Sequence, residues 1–145
     1  MTELIIPLIV SALLVATCLY LHFRVLRYGA SKFATLQDNV RNQMLAIMAA
    51  IFLTHMLEVI IFAIAYWAIA ASGAGYLAGA HASTAADYFY FSIASYTTLG
   101  IGDITPMGAM RLVAGIEALT GLLLIAWSAS FTYLSMERIW SPDKA

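Results

Sequence analysis

The sequence predicts an all-α membrane protein: three helices that cross the bilayer and a fourth, shorter helix that enters it and turns back. Three observations carry this expectation. Of 145 residues, 63% are hydrophobic and only 10% charged, against roughly 25% charged in soluble domains. The apolar residues fall in blocks of about 20 or more, not in the short periodic runs that build a water-soluble core. Between two of these blocks lies "SIASYTTLGIGDITP", residues 92–106, which holds two glycines, three threonines and an acid.

The first block, residues 4–23, is long enough at about 1.5 Å per residue to cross the roughly 30 Å hydrocarbon layer. A cleavable signal peptide fits less well, because Thr2 and Glu3 stand where a basic leader belongs and Arg24 and Arg27 follow the block. The next stretch concentrates positive charge at Arg24, Arg27, Lys32 and Arg41, which predicts a cytoplasmic side. With no four-helix sensor to serve, Arg24 and Arg27 read as topology and snorkelling residues.

The second block, residues 44–70, is long enough to cross with tilt and is expected to set Tyr66 and Trp67 in the outer interfacial belt. Residues 71–87 are small, Gly-rich and free of Lys and Arg, as an external loop should be. Ser83 or Thr84 is placed to cap a short helix whose positive N-terminal end suits Asp87. Residues 85–96 are too few to span, so this helix is expected to be re-entrant. The last block, residues 108–140, is followed by Lys144 and carries Arg138 near its end, again marking the cytoplasm. The N-terminus is thus expected outside and the C-terminus inside.

The expected organisation is a helix and cytoplasmic linker over residues 1–42, a membrane module over 43–140 and a tail of residues 141–145 too short for a ligand-sensing domain. Net charge is −1 and the few cations are scattered, so neither nucleic acid nor an acidic soluble partner is expected. Cys18 is the single cysteine, which excludes an internal disulfide and reads as apolar packing.

Non-helical backbone at membrane depth has unpaired polar groups, tolerated only where protein buries them or water reaches them. Glycine at 100 and 102 permits backbone angles closed to other residues, so successive carbonyls over residues 98–102 can point one way and replace the water shell of a cation. A soluble phosphate or dinucleotide loop fits poorly, since TTLGIGD lacks the G-x-G-x-x-G spacing and a βαβ setting.

With those residues, the chain resembles the pore module of the potassium channel family, whose TVGYG loops are the reference case of selectivity by carbonyl oxygens. The resemblance runs over residues 44–133, about two thirds of the chain. It implies a selectivity filter of Thr98, Leu99, Gly100, Ile101 and Gly102, preceded by Thr97 and followed by Asp103. Carbonyls of Thr98 to Ile101 and the Thr98 hydroxyl would hold K+ there. Tyr90 and Phe91 would belong to an aromatic cuff around the loop, and Gly121 would be the inner-helix hinge. Two positions depart from the family pattern: Ile101 replaces the usual Tyr or Phe, and Ala94 stands where some bacterial members carry a carboxylate behind the filter.

The resemblance further implies a cyclic homotetramer, since one chain supplies one filter strand. The expected activity is passive potassium conduction in a prokaryotic inner membrane, with lipid and potassium ions as partners, no soluble substrate, no cofactor and no enzyme activity. Loosening at Ile101 would instead give a weakly selective monovalent cation channel.

His55 and Glu58 lie three apart in the second block, and Glu117 lies in the last. Ionisable groups inside a bilayer usually face the bundle interior. Two readings stand open: a metal site of all three, as in an intramembrane metal-dependent enzyme, or a hydrogen-bonded brace joining outer helix, inner helix and the back of the filter. A regulatory transporter subunit is a further alternative class.

Overall fold

The computed structural model describes residues 2–33, 40–79 and 84–140. Ser83, Lys144, the tail 141–145 and linker residues 34–39 lie outside the described residues, as do the side chains of Lys32 and Arg138. The elements run α1 (Thr2–Phe33), α2 (Val40–Ala71), β1 (Gly75–Ala78), α3 (Ala85–Tyr96), β2 (Thr105–Gly108) and α4 (Met110–Trp140). Segments Ile5–Ser31, Arg41–Ala71 and Met110–Glu137 are each long and apolar enough to cross a membrane, and α3 at 12 residues is not.

Helix α1 continues past the end of its apolar block, through Arg24 and Arg27 to Phe33. Arg24 is accommodated by its own helix: its Nη1 donates to the Tyr20 hydroxyl at 2.8 Å, and its guanidinium lies 5.7 Å from the Tyr20 ring centroid. This is the geometry of a snorkelling cation lying on an aromatic stem.

Helix α3 begins at a capping box. Thr84 has extended backbone (φ −91°, ψ 160°), its Oγ1 accepts from the Asp87 amide at 3.3 Å, and Asp87 Oδ2 accepts from the Thr84 amide at 2.8 Å. Two orphan amides of the first turn are satisfied reciprocally, and the Asp87 carboxylate meets the positive helix end. The helix is lodged between α2 and α4, while α1 packs outside against α4 and α2. The core where they meet contains Phe62, Tyr66, Phe91, Met110, Val113 and Leu124, with Cys18 completing it from α1.

Outside the helices, the stretch expected as external loop contains a strand. β1 and β2 pair antiparallel, with Gly75 opposite Gly108 and Ala78 opposite Thr105. The pairing depends on glycine at one end: Gly108 has φ +62°, and a Cβ there would meet the Ala74 carbonyl oxygen at 2.7 Å. Four-residue strands reading GYLA and TPMG carry no period-2 alternation, so nothing in their pattern announces them.

Tyr66 is also corrected. Trp67 is 60% exposed, as an interfacial ring should be, but Tyr66 is completely buried. Its hydroxyl has a buried partner on α4, which outweighs the interface as a place to satisfy a phenol.

Candidate functional site

Where α3 ends, the chain turns back on itself. The Thr97 amide donates to the Ile93 carbonyl at 3.0 Å and the Thr98 amide to Ser95 at 3.0 Å. The Ala94 carbonyl then accepts two successive amides, Leu99 at 2.9 Å and Gly100 at 3.2 Å. In a planar trans peptide the C=O points opposite to the N–H it shares a plane with. Because the amides of Thr98, Leu99 and Gly100 all turn toward α3, the carbonyls of Thr97, Thr98 and Leu99 all turn away from it. Position 94 therefore supports the loop through its backbone oxygen, with no side chain beyond a methyl.

The backbone angles continue the pattern. Thr98 has φ +58°, Gly100 +53° and Gly102 +85°, while the residues between them keep negative φ. Alternating hand at every second residue keeps successive peptide planes facing alike, and only glycine adopts such angles without strain. Thr98 is the sole described non-glycine residue at positive φ. The whole run from Thr97 to Asp103 is exposed on the single chain.

At the far end of the loop, the Tyr90 hydroxyl donates to Asp103, with Oδ1 at 3.1 Å and Oδ2 at 3.0 Å, and Asp103 Oδ1 also accepts the Ile104 amide at 3.0 Å. Tyr90 thus ties α3 to the residue after the second glycine. Phe91 lies in the helix core, edge-on to Tyr66 with centroids 5.0 Å apart. Gly121 sits where α4 crosses the end of α3: a Cβ there would overlap the Tyr96 carbonyl oxygen and lie 2.8 Å from its carbon. Helix α4 runs unbroken through this point.

The three ionisable residues separate into two buried networks. Glu117 Oε1 lies 2.5 Å from the Ser92 hydroxyl, Oε2 accepts from Tyr66, and Ser92 also lies 2.8 Å from the Val59 carbonyl. These bonds hold the middle of α3 to α2 and α4. Glu58 forms the other network, with Tyr96 at 2.5 Å, His22 Nδ1 at 3.0 Å and His55 Nδ1 at 3.2 Å. The two imidazole Nε2 atoms converge on Ser128 Oγ, at 2.9 Å for His22 and 3.1 Å for His55. A metal set of His55, Glu58 and Glu117 is therefore not what the structure assembles; His22 stands with the first two, and Glu117 stands with Ser92 and Tyr66.

His22 is the residue that reading along the chain passed over. The signal was present, since an ionisable side chain inside an apolar block is a candidate wherever it occurs. Ser92, Ser128 and Tyr66 gave no such signal, because isolated hydroxyls are common in membrane helices.

Two long helices flanking a short re-entrant helix, followed by an exposed loop of alternating backbone hand with its amides turned inward, define the pore module of a channel. Residues 45–137 match the family model described as ion channel, and the chain belongs to that family. It is also 28% identical over 116 residues to the inward rectifier potassium channel Kirbac3.1 of Paramagnetospirillum magnetotacticum, an alignment covering 79% of this chain and 39% of that protein. The chain thus spans well under half the length of that relative. The family match makes the chain an ion channel, and three helices long and apolar enough to cross give it a place in a membrane.

Proposed function

We propose that this chain forms a homotetrameric pore that conducts potassium ions selectively and passively down their gradient. The observation that carries the reading is the run of amides from Thr98 to Gly100 bonded back to α3, which turns the carbonyls of Thr97 to Leu99 away from the helix. Four such loops around an axis make rings of oxygen that substitute for water around a dehydrated cation. Thr98, Leu99, Gly100, Ile101 and Gly102 are the ion-binding residues of this reading, with Thr97 at its inner end. Tyr90 and Asp103 fix the outer end, and Gly121 serves as the inner-helix hinge. Conduction itself needs neither cofactor nor catalysis.

A closed ring also accounts for the exposed apolar side chains at Leu119 (69%) and Leu99 (62%), which lipid or neighbouring subunits would cover. In a prokaryotic inner membrane the N-terminus would lie outside and the C-terminus in the cytoplasm.

The test is potassium flux into liposomes containing the purified protein, compared with Gly100→Ala. Nothing lies within 4 Å of a Cβ at Gly100, whose φ is +53°. Alanine there is strained by about 1–2 kcal/mol in every subunit without a clash, so flux should vanish while the oligomer remains intact. Unchanged flux would overturn the assignment.

Weak selectivity is the second reading. Ile101 is 58% exposed on the chain, and its side chain offers no hydrogen bond to hold the filter open.

A further inference from the structure

We propose that His22, His55 and Glu58 form a divalent transition-metal site of the Zn2+ or Co2+ type, buried between α1 and α2 beside the end of the re-entrant helix. Suitable ligand atoms of the three residues all lie within 4.8 Å of one another. His22 is 1% exposed, Glu58 fully buried and His55 14% exposed. Two imidazoles with one carboxylate are a zinc-type donor set, and the Tyr96 hydroxyl lies beside two of the donors, 2.8 Å from His55 Nδ1 and 2.5 Å from Glu58 Oε2.

The orientation of the rings is the stronger argument. Both Nδ1 atoms face Glu58, with His55 Nδ1 also 2.8 Å from the Tyr96 hydroxyl, and both Nε2 atoms face the single hydroxyl of Ser128. Suppose the site holds only neutral imidazoles and an ionised Glu58. Each ring then has one N–H, and Tyr96 and Ser128 have one O–H each. Even with one hydrogen on His55 Nδ1 shared between Glu58 and Tyr96, the contacts to Glu58 and Ser128 need one more hydrogen than these groups supply.

A cation between the Nδ1 atoms and Glu58 removes the shortage. Both rings then keep their hydrogen on Nε2, and Ser128 Oγ accepts both on its two lone pairs. That is how metal-bound histidines are usually held, each by a partner on its other nitrogen. With metal–donor distances of about 2.0–2.2 Å, tetrahedral donors sit roughly 3.2–3.6 Å apart. The observed 3.0 and 3.2 Å contacts need to open by only a few tenths of an ångström. One cation would bind α1 to α2 next to Tyr96, the last residue before the loop.

The experiment uses the full chain in detergent, with any purification tag removed, stripped by chelator and equilibrated with Co2+. About one Co2+ per chain is expected, with the visible absorption of a low-coordinate site. Zn2+ should displace it. Binding should be lost in His22→Gln and His55→Gln, be weakened about 10–100-fold in Ser128→Ala, and be unchanged in His81→Gln. Failure to retain Co2+ or Zn2+, or equal retention by the two histidine variants, overturns the site. Should those variants not fold, X-ray absorption on the Zn2+-loaded native protein decides: two imidazole nitrogens and a carboxylate oxygen support it, and a shell of water or sulfur overturns it.

Discussion

Tyr96, the last residue of the re-entrant helix, donates its hydroxyl to Glu58 of α2 at 2.5 Å. The next residue, Thr97, begins the exposed loop, so this bond joins one of the long apolar helices to the root of that loop. Tyr96→Phe removes the donor and leaves buried Glu58 short of a partner, at a cost of about 1–3 kcal/mol. A lower melting temperature in detergent and reduced potassium flux are expected; an unchanged melting curve would show the bond to be dispensable.

Gly121 lies against the backbone of Tyr96 at the α3–α4 crossing, and its missing Cβ is what allows the approach. A carbonyl cannot swing aside as a side chain tip can, so Gly121→Ala must push the helices apart and should destabilise by about 1–3 kcal/mol. Gly115, with nothing within 4 Å of a Cβ, is the control: alanine there should raise helix stability slightly. Equal melting temperatures for the two variants would contradict the packing role.

Ser92 has one hydroxyl hydrogen and two acceptors beside it, the Val59 carbonyl at 2.8 Å and Glu117 Oε1 at 2.5 Å. Both contacts are made if Glu117 itself carries a hydrogen. Glutamine supplies an N–H in the same place, so Glu117→Gln should melt near the native temperature. Glu117→Leu strands Tyr66 and Ser92 and should cost about 1–3 kcal/mol. Equal loss in both variants would mean that the ionised carboxylate is required.

Ile101 is β-branched and stiffens extended backbone, but it fills less volume than a ring. Potassium should still be preferred over sodium, and Ile101→Tyr should raise that preference or, where the surroundings fit isoleucine closely, impair assembly by overpacking. Reversal potentials in mixed potassium and sodium measure this, and equal permeability in the native protein would establish the weakly selective alternative.

Much of this architecture could be read along the chain. Length and hydropathy marked the three crossings, and Thr84 with Asp87 marked the start of α3. TTLGIGD marked the loop because glycine spacing reports backbone angle directly, as the positive φ of Gly100 and Gly102 shows. Partnerships across helices were harder. Glu117 has no sequence relation to Ser92, nor His22 to Glu58; those pairings depend on how the helices rotate and cross. Thr98 at φ +58° was equally hidden, since threonine does not advertise a left-handed backbone.

The small ribbon that joins the two ends of the re-entrant segment has a kinetic consequence. By pairing Gly75–Ala78 with Thr105–Gly108, it closes the base of the re-entrant excursion within one chain, so the closure entropy of that excursion is met without contacts from another chain. Shaping of the excursion should therefore proceed at a rate independent of protein concentration, and in the tetramer proposed above only the docking of chains should follow second-order kinetics.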